Sequence, residues 1–438
     1  MEKCVDSLIR EINNIKNRAI EEGSLKKEKP QKELTKKEID FKLPKGWRWI
    51  RLGDYCMKVT DFVASGSFAT IKKNVNYYDT ENYAIMVKTA DFSNGFTKNL
   101  TYTDEKGYKF LSNSNLFGGE LILSNIGSIG KIFKVPYLNK PMTLASNTIM
   151  LKFTNDELVD YIYYYFKSPY GQNALKSISS GTSMLKFNKT QLKTLPLPIP
   201  NLEIQKKIVY VLNKSQELMN KRKKQIEELD LLVKSKFVEM FGDPVLNPKN
   251  WDVKKVIDVC DCMVPGRDKP KSFTGNTPWI TIEDLEVNGI TFKSKSNLGL
   301  TDNEINEVKR KKVPKNSVLM SCVGNLGICS IAGREMIINQ QLHSFQCKDI
   351  NNFFLMHYLG FRKDYMISQA SSTTVLYMNK TACNSIPVYL PPMELQNQFA
   401  KFVKQVDKLK FEMEKSLKEL EDNFNSLMQK AFKGEIFN

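Results

Sequence analysis

No run of about 18 apolar residues occurs in this 438-residue sequence, so it offers no segment that could span a bilayer as a helix. The start, Met1-Glu2-Lys3-Cys4-Val5-Asp6, lacks the basic and apolar stretches of a secretory signal, and a cytoplasmic protein with no membrane partner is expected. Eight cysteines stand at positions 4, 56, 260, 262, 322, 329, 347 and 383, and none forms a CxxC pair. Reduced, mostly buried thiols are expected rather than a zinc site. Histidine is scarcer still, at two. His343 lies between Cys329 and Cys347, but the spacing is irregular and no metal is assigned to it.

Signatures of catalysis are also missing. There is no Asn-Pro-Pro-Tyr-like tetrapeptide to hold a flipped base, and no glycine-rich turn after a strand to bind a methyl donor. Gly127-Ser-Ile-Gly130-Lys131 is too short for a phosphate loop. Glu307-Val308-Lys309 mimics half of a nuclease site without a Pro-Asp partner upstream. A non-catalytic chain without a cofactor of its own is expected.

Positive charge, by contrast, is in excess. The 65 Lys and Arg residues outnumber the 48 Asp and Glu residues, giving a net charge of +17 spread along the whole chain. A polyanionic partner explains this, and so does a lysine-rich host composition. The length exceeds one ordinary core and points to two or three domains.

The sequence also repeats itself. Asn188-Lys189-Thr190 through Leu195-Pro196 matches Asn379-Lys380-Thr381 through Ile386-Pro387 at an offset of 191, which also carries Pro200 onto Pro391, Glu203 onto Glu394, Gln205 onto Gln396 and Phe241 onto Phe432. Upstream the offset drifts: Gly127–Gly130 matches Gly324–Gly327 at 197, and Gly46-Trp47 matches Asn250-Trp251 at 204. Loops absorb length changes, whereas a packed helix changes phase when a residue is added.

After Leu197-Pro-Ile-Pro200 and Leu390-Pro-Pro392, neither Gly nor Pro appears until Gly242 and Gly434, so each copy ends in a helix of about 40 residues, or ~60 Å. In the second helix Leu395, Phe399, Phe402, Val406, Leu409, Met413, Leu417, Leu420, Phe424, Leu427 and Ala431 step by threes and fours. The first repeats the pattern with Ile204, Ile208, Val211, Leu218, Ile226, Leu229, Val233 and Met240, interrupted by Ser215, Arg222 and Lys236. This is a coiled-coil seam with polar register markers, the alternative being two amphipathic helices on separate cores. Residues 1–22 form a third, short helix, and 23–43 read as a charged linker. The front halves, 44–200 and 243–392, mix helix with much strand, as in Tyr83–Val87, Leu121–Leu123, Thr148–Leu151, Trp279–Ile282 and Ser317–Met320.

With Leu43-Pro-Lys-Gly-Trp47, Arg51-Leu-Gly53, Ser180-Gly-Thr182 before Asn188-Lys189, and Glu203-Ile-Gln205, echoed by Asn339-Gln-Gln341, Asn379-Lys380 and Glu394-Leu-Gln396, the chain resembles the specificity subunits of type I restriction-modification enzymes. The resemblance spans nearly the whole sequence, twice over. It implies an α+β architecture: two α/β target recognition domains with substantial strand content, 44–200 and 243–392, joined by two long antiparallel coiled-coil helices, 201–242 and 393–434, in a pseudo-two-fold arrangement. It further implies double-stranded DNA as ligand, each domain reading one half of a split site. Two methyltransferase subunits would clamp that site and nuclease-translocase subunits could join, with methyl donor, ATP and Mg²⁺ on those partners. The second copy departs from the first at Ser371-Ser-Thr-Thr374, and the first replaces Asn-Gln-Gln with Ala145-Ser-Asn147.

Reading base edges takes paired donors and acceptors, and holding phosphates takes cations. The candidates in the motif loops are Lys88, Ser128, Lys131, Thr182, Lys186, Asn188 and Lys189 in the first domain, and Arg267, Lys269, Asn325, Gln340, Gln341, Thr373 and Lys380 in the second. The competing functions are a self-sufficient DNA methyltransferase or nuclease with an unrecognised site, and a coiled-coil scaffold.

Overall fold

Freedom from Gly and Pro lets one helix run from Leu202 to Phe241 and another from Met393 to Lys433. Each stops at a glycine with left-handed backbone, Gly242 at φ +84° and Gly434 at φ +72°, a conformation that costs glycine nothing and closes a helix C-terminus. The computed structural model describes residues 4–35, 41–182, 184–266, 268–371 and 375–437. The chain forms two units, Met1–Asn220 with Lys418–Asn438, and Lys221–Leu417. Each unit therefore owns one end of either long helix.

In the first unit an antiparallel sheet has the order Lys58–Asp61, Thr148–Lys152, Leu121–Ser124, Ile132–Lys134. A second sheet has the order Tyr102–Thr103, Ala84–Val87, Met142–Leu144, Asn115–Leu116, with Ala84–Val87 parallel to Met142–Leu144. Arg48–Arg51 pairs with Pro196–Ile199 and closes the unit just before the long helix. The helix Asp156–Lys167 lies in the core, where Tyr161 and Tyr165 meet Phe432 at ring distances of 5.3 and 5.5 Å and Tyr164 meets Phe424 at 6.2 Å. The last turns of the chain thus complete the core of its first unit. The helix Val5–Glu21 buries Val5, Leu8, Ile12 and Ala19, and Lys16 Nζ donates to the carbonyls of Gly53 and Asp54 at 3.0 and 2.9 Å. The charged segment that follows is held as well: Lys193 Nζ donates to Glu28, and Arg51 donates to the carbonyls of Lys32 and Glu33.

The second unit repeats this plan. Its main sheet runs Cys260–Met263, Leu342–Cys347, Val318–Ser321, Cys329–Ala332, with Ile290–Thr291 added parallel at the edge. The companion sheet is Gly299–Leu300, Thr277–Ile280, Ile337–Ile338, again with one parallel pair, and Asp252–Lys255 with Pro387–Leu390 matches the closing ribbon. The helix Asn352–Phe361 takes the place of Asp156–Lys167, and Phe354 meets Phe237 at 5.4 Å and Phe241 at 4.8 Å. Here the two long helices run antiparallel: Phe399 packs on Phe237 and Phe241, and farther along Lys410 pairs with Asp230 at 2.7 Å.

The seam differs in detail from the periodic reading. Leu218 and Leu409 are 54% and 46% exposed, whereas Leu212, Met219, Val403 and Met428 are buried. The cause is a change of neighbours: each helix packs first in one unit and then in the other, so its buried stripe does not hold one phase along its length.

Candidate nucleic-acid interface

In both units three connections meet at one end of the main sheet, joined by the same backbone bonds. In the first, the hairpin turn after Leu121–Ser124 is stitched to the segment before the short helix Lys189–Lys193: Gly127 N–H donates to the Leu185 carbonyl at 3.1 Å and Phe187 N–H to that of Asn125 at 3.1 Å. Asn125 N–H donates to the Asn147 carbonyl at 3.3 Å, which brings in the third connection. In the second unit the equivalents are Gly324 to Leu376 at 2.8 Å, Met378 to Cys322 at 2.9 Å, and Cys322 to Gln341 at 2.8 Å. Ser180 pairs with Lys186, and Ser371 with Tyr377. The same backbone knot is thus built twice, with different side chains on it.

Gly181 explains part of the first knot. Its φ is +114°, and a Cβ there would lie 2.4 Å from the Met184 carbonyl oxygen, so the tight turn requires glycine.

The knot in the first unit borders a cavity of about 360 Å³ lined by Asp61, Phe62, Phe68, Asn125, Lys186 and Asn188 among others. Lys186 is exposed at its rim, with Ser128, Lys131 and Thr182 exposed on the neighbouring turns. Lys189 is less free, since its Nζ pairs with Asp61 at 3.0 Å. Asn188 serves as the N-cap of Lys189–Lys193: its Oδ1 accepts from Gln191 N–H at 2.9 Å, while Gln191 Oε1 accepts from Asn188 N–H at 2.9 Å. That side chain shapes the loop before it can read anything. Lys88 stands apart at the end of Ala84–Val87 in the companion sheet, its ammonium donating to the Asn99 carbonyl and Thr101 Oγ1. Asn125 Oδ1 is buried with no donor among the described residues, while its Nδ2 donates to the Phe187 carbonyl at 3.0 Å.

In the second unit Lys269, Gln340 and Gln341 line one cavity of about 370 Å³ together with Phe273, Trp279, Thr281, Arg310 and Asn339. Gln341 is oriented by Asn339, whose Nδ2 donates to Gln341 Oε1 at 2.8 Å. Asn325 is exposed at the hairpin apex and accepts from Lys363 Nζ at 2.8 Å. Lys380 is exposed at the first position of the helix Lys380–Asn384, which Asn379 caps as Asn188 does its counterpart. Arg267 and Thr373 lie outside the described residues. His343 is buried on the strand Leu342–Cys347, its Nε2 at 3.1 Å from Asn384 Oδ1, and burial pushes its pKa down to about 4.

Several lining residues carry no motif. Trp279 and Arg310 belong to no repeated string, and Asn125 lies two residues before the recognised turn. The signal for Asn125 was its offset of 197 from Cys322, the register of the glycine turns.

Comparison with known proteins agrees with this twofold plan. The family of type I restriction modification DNA specificity domains matches residues 44–228 and again 248–422. A Methanocaldococcus jannaschii chain assigned as the MjaX type I restriction enzyme specificity subunit is 25% identical over 422 residues, 91% of this chain and 97% of that one. The MjaVIII specificity subunit of the same organism is 23% identical, covering 90% of this chain and 94% of its own. A chain solved in work on complex assembly and conformational transition of the type I R-M system superposes with a TM-score of 0.58 at 19% identity, covering 90% of this chain and all of that one. With both matched stretches falling on equivalent sheets, knots and helices, the chain belongs to the type I restriction-modification DNA specificity family.

Proposed function

We propose that this chain supplies DNA sequence specificity to a type I restriction-modification complex in the cytoplasm. Each unit reads one half of a bipartite site in double-stranded DNA. The long helices set the number of unread base pairs between the halves and dock two methyltransferase subunits, to which nuclease-translocase subunits can be added. Methyl donor, ATP and Mg²⁺ belong to those partners, and this chain performs no covalent step.

The observation that carries this reading is the duplicated knot. Identical backbone bonds hold the hairpin turn, the segment before the capped helix and the turn before the sheet strand in both units, while the side chains on them differ. Fixed backbone with exchanged donors and acceptors is what two different half-sites require. The net charge of +17 supplies the phosphate attraction common to any sequence.

Exchanging residues 44–195 for the matching stretch of a relative, within the assembled complex, should change one half of the methylated motif and leave the other intact when the modified genome is sequenced. A change in both halves refutes modular reading. The purified chain alone, given DNA, Mg²⁺ and methyl donor, should yield no product; turnover without partners would favour a self-sufficient enzyme.

A further inference from the structure

The cavity of the second unit contains a group that the fold leaves unsatisfied. Arg310 is only 7% exposed and lies against Trp279, itself 4% exposed, with the guanidinium carbon 5.3 Å from the ring centroid. Phe273 abuts the same indole edge-on at 5.8 Å. Arg310 Nη2 donates to the Asp268 carbonyl at 2.6 Å. Its Nε and Nη1 are sealed from solvent and have no acceptor among the described residues. Burial draws the Arg310 pKa below the usual arginine value, and the Asp268 carboxylate only partly restores it.

A buried cation with idle N–H bonds is among the most expensive things a fold can keep. Replacing such a charge by an apolar side chain of similar volume is commonly neutral or stabilising. Beside Arg310, the cavity wall carries Lys269 and the amides of Gln340 and Gln341, and neither Lys269 nor the Gln340 side chain has a partner among the described residues. Donors and cations therefore outnumber acceptors on this wall. What would complete it is an electron-rich oxygen or nitrogen brought from outside.

Building on the DNA-reading role, we propose that Arg310 is a DNA-contacting residue of the second unit, whose Nε and Nη1, closed to water in the free chain, are uncovered on binding and donate to acceptor atoms of the duplex lodged in this cavity. Two parts of the duplex offer that chemistry: the oxygens of a phosphodiester and the O6 and N7 edge of a guanine. Trp279 holds the guanidinium plane in place, Asp268 fixes one nitrogen, and Lys269 and Gln340 flank the entrance.

The test uses the full chain assembled with its methyltransferase subunits, on duplexes carrying its recognised site. Arg310→Met, which keeps the bulk over Trp279 and removes the buried charge, should weaken binding about 10- to 100-fold, the value of a charge-assisted hydrogen bond or two. Its melting temperature should hold or rise. Arg310→Lys, which keeps charge but loses the fork, should fall between the two. If the acceptor is a phosphodiester, the loss is the same for every sequence and the slope of log affinity against log salt falls by about 0.9. If it is a guanine, the loss is confined to one base pair of one half-site and discrimination relaxes there alone.

An Arg310→Met complex that binds as tightly as wild type, with the same half-site preference, overturns the proposal. So does a fall in melting temperature with equal losses at both half-sites, which marks a packing role. A wild-type complex that fails to bind DNA overturns the underlying reading, and this inference with it.

Discussion

Two glutamines, 191 positions apart, do the same job at the start of the two long helices. Gln205 Nε2 donates to the Pro200 carbonyl at 3.0 Å and its Oε1 accepts from Tyr55 Oη at 2.7 Å. Gln396 Nε2 donates to the Pro391 carbonyl at 2.8 Å and its Oε1 accepts from Asn351 N–H at 2.8 Å. The proline stops leave a carbonyl beside the helix start, and each buried amide satisfies it while reaching back to its own core. Gln205→Ala should destabilise the protein by about 1–3 kcal/mol, because it strands the buried Tyr55 hydroxyl and the Pro200 carbonyl. Gln396→Ala should do likewise, and denaturant titration of the two variants would measure both. At this scale the sequence was legible where a residue repeats and opaque where it does not. Arg310 stands in the run Lys309-Arg-Lys-Lys312, which reads as a solvated stretch of charge. Only the third dimension turns this one cation inward onto Trp279 while Lys312 pairs outward with Asp302 and Glu335. Asn188 shows the converse, since a residue chosen as a reader also has a local duty as an N-cap.

Among elements, the long helices were the most legible, since their length follows from where Gly and Pro are missing and their ends from where they return. Which face each buries was less so. The three-and-four stepping is a property of one helix against one partner, and these helices change partner midway, which moves the stripe from Leu218 to Met219 and exposes Leu409. One acidic side chain on the antiparallel pair of the second unit has a measurable consequence. Burial, opposed by Lys410 and aided by Asp230, raises the Asp407 pKa to about 6, in a cleft also bordered by Lys234, Glu286, His357 and Glu414. A raised folded-state pKa means that ionised Asp407 is held less well in the fold than in the open chain, so it lowers stability above pH 6. That loss disappears as pH falls from 6 towards the ordinary aspartate value near 4. Asp407→Asn should therefore melt higher than wild type at pH 8 and alike at pH 4. A constant difference across that range would contradict this account.

For the whole molecule, duplication is the organising fact, and it is visible in the sequence because the back of each copy keeps one offset while the front drifts. The drift falls in the sheet-bearing front halves, whose loops tolerate insertions and deletions that a helix cannot. Sheet order and the parallel pairings were not legible, because they rest on contacts between strands far apart in the chain. If the helices act as a ruler, four residues inserted into one of them lengthen it by ~6 Å, close to two base-pair steps of duplex. Sequencing of the methylated genome should then show a spacer longer by about that amount with both half-sites intact, and an unaltered spacer would exclude the ruler.

Phe424 and Phe432, the aromatic residues that meet Tyr164, Tyr161 and Tyr165, follow them only after the whole second unit has intervened in sequence. During synthesis the half made first must leave the ribosome with its centre open and wait for the other half to be translated. A stop codon placed shortly before Phe424 would thus spare the second unit and damage the first, an effect felt far upstream of the lesion.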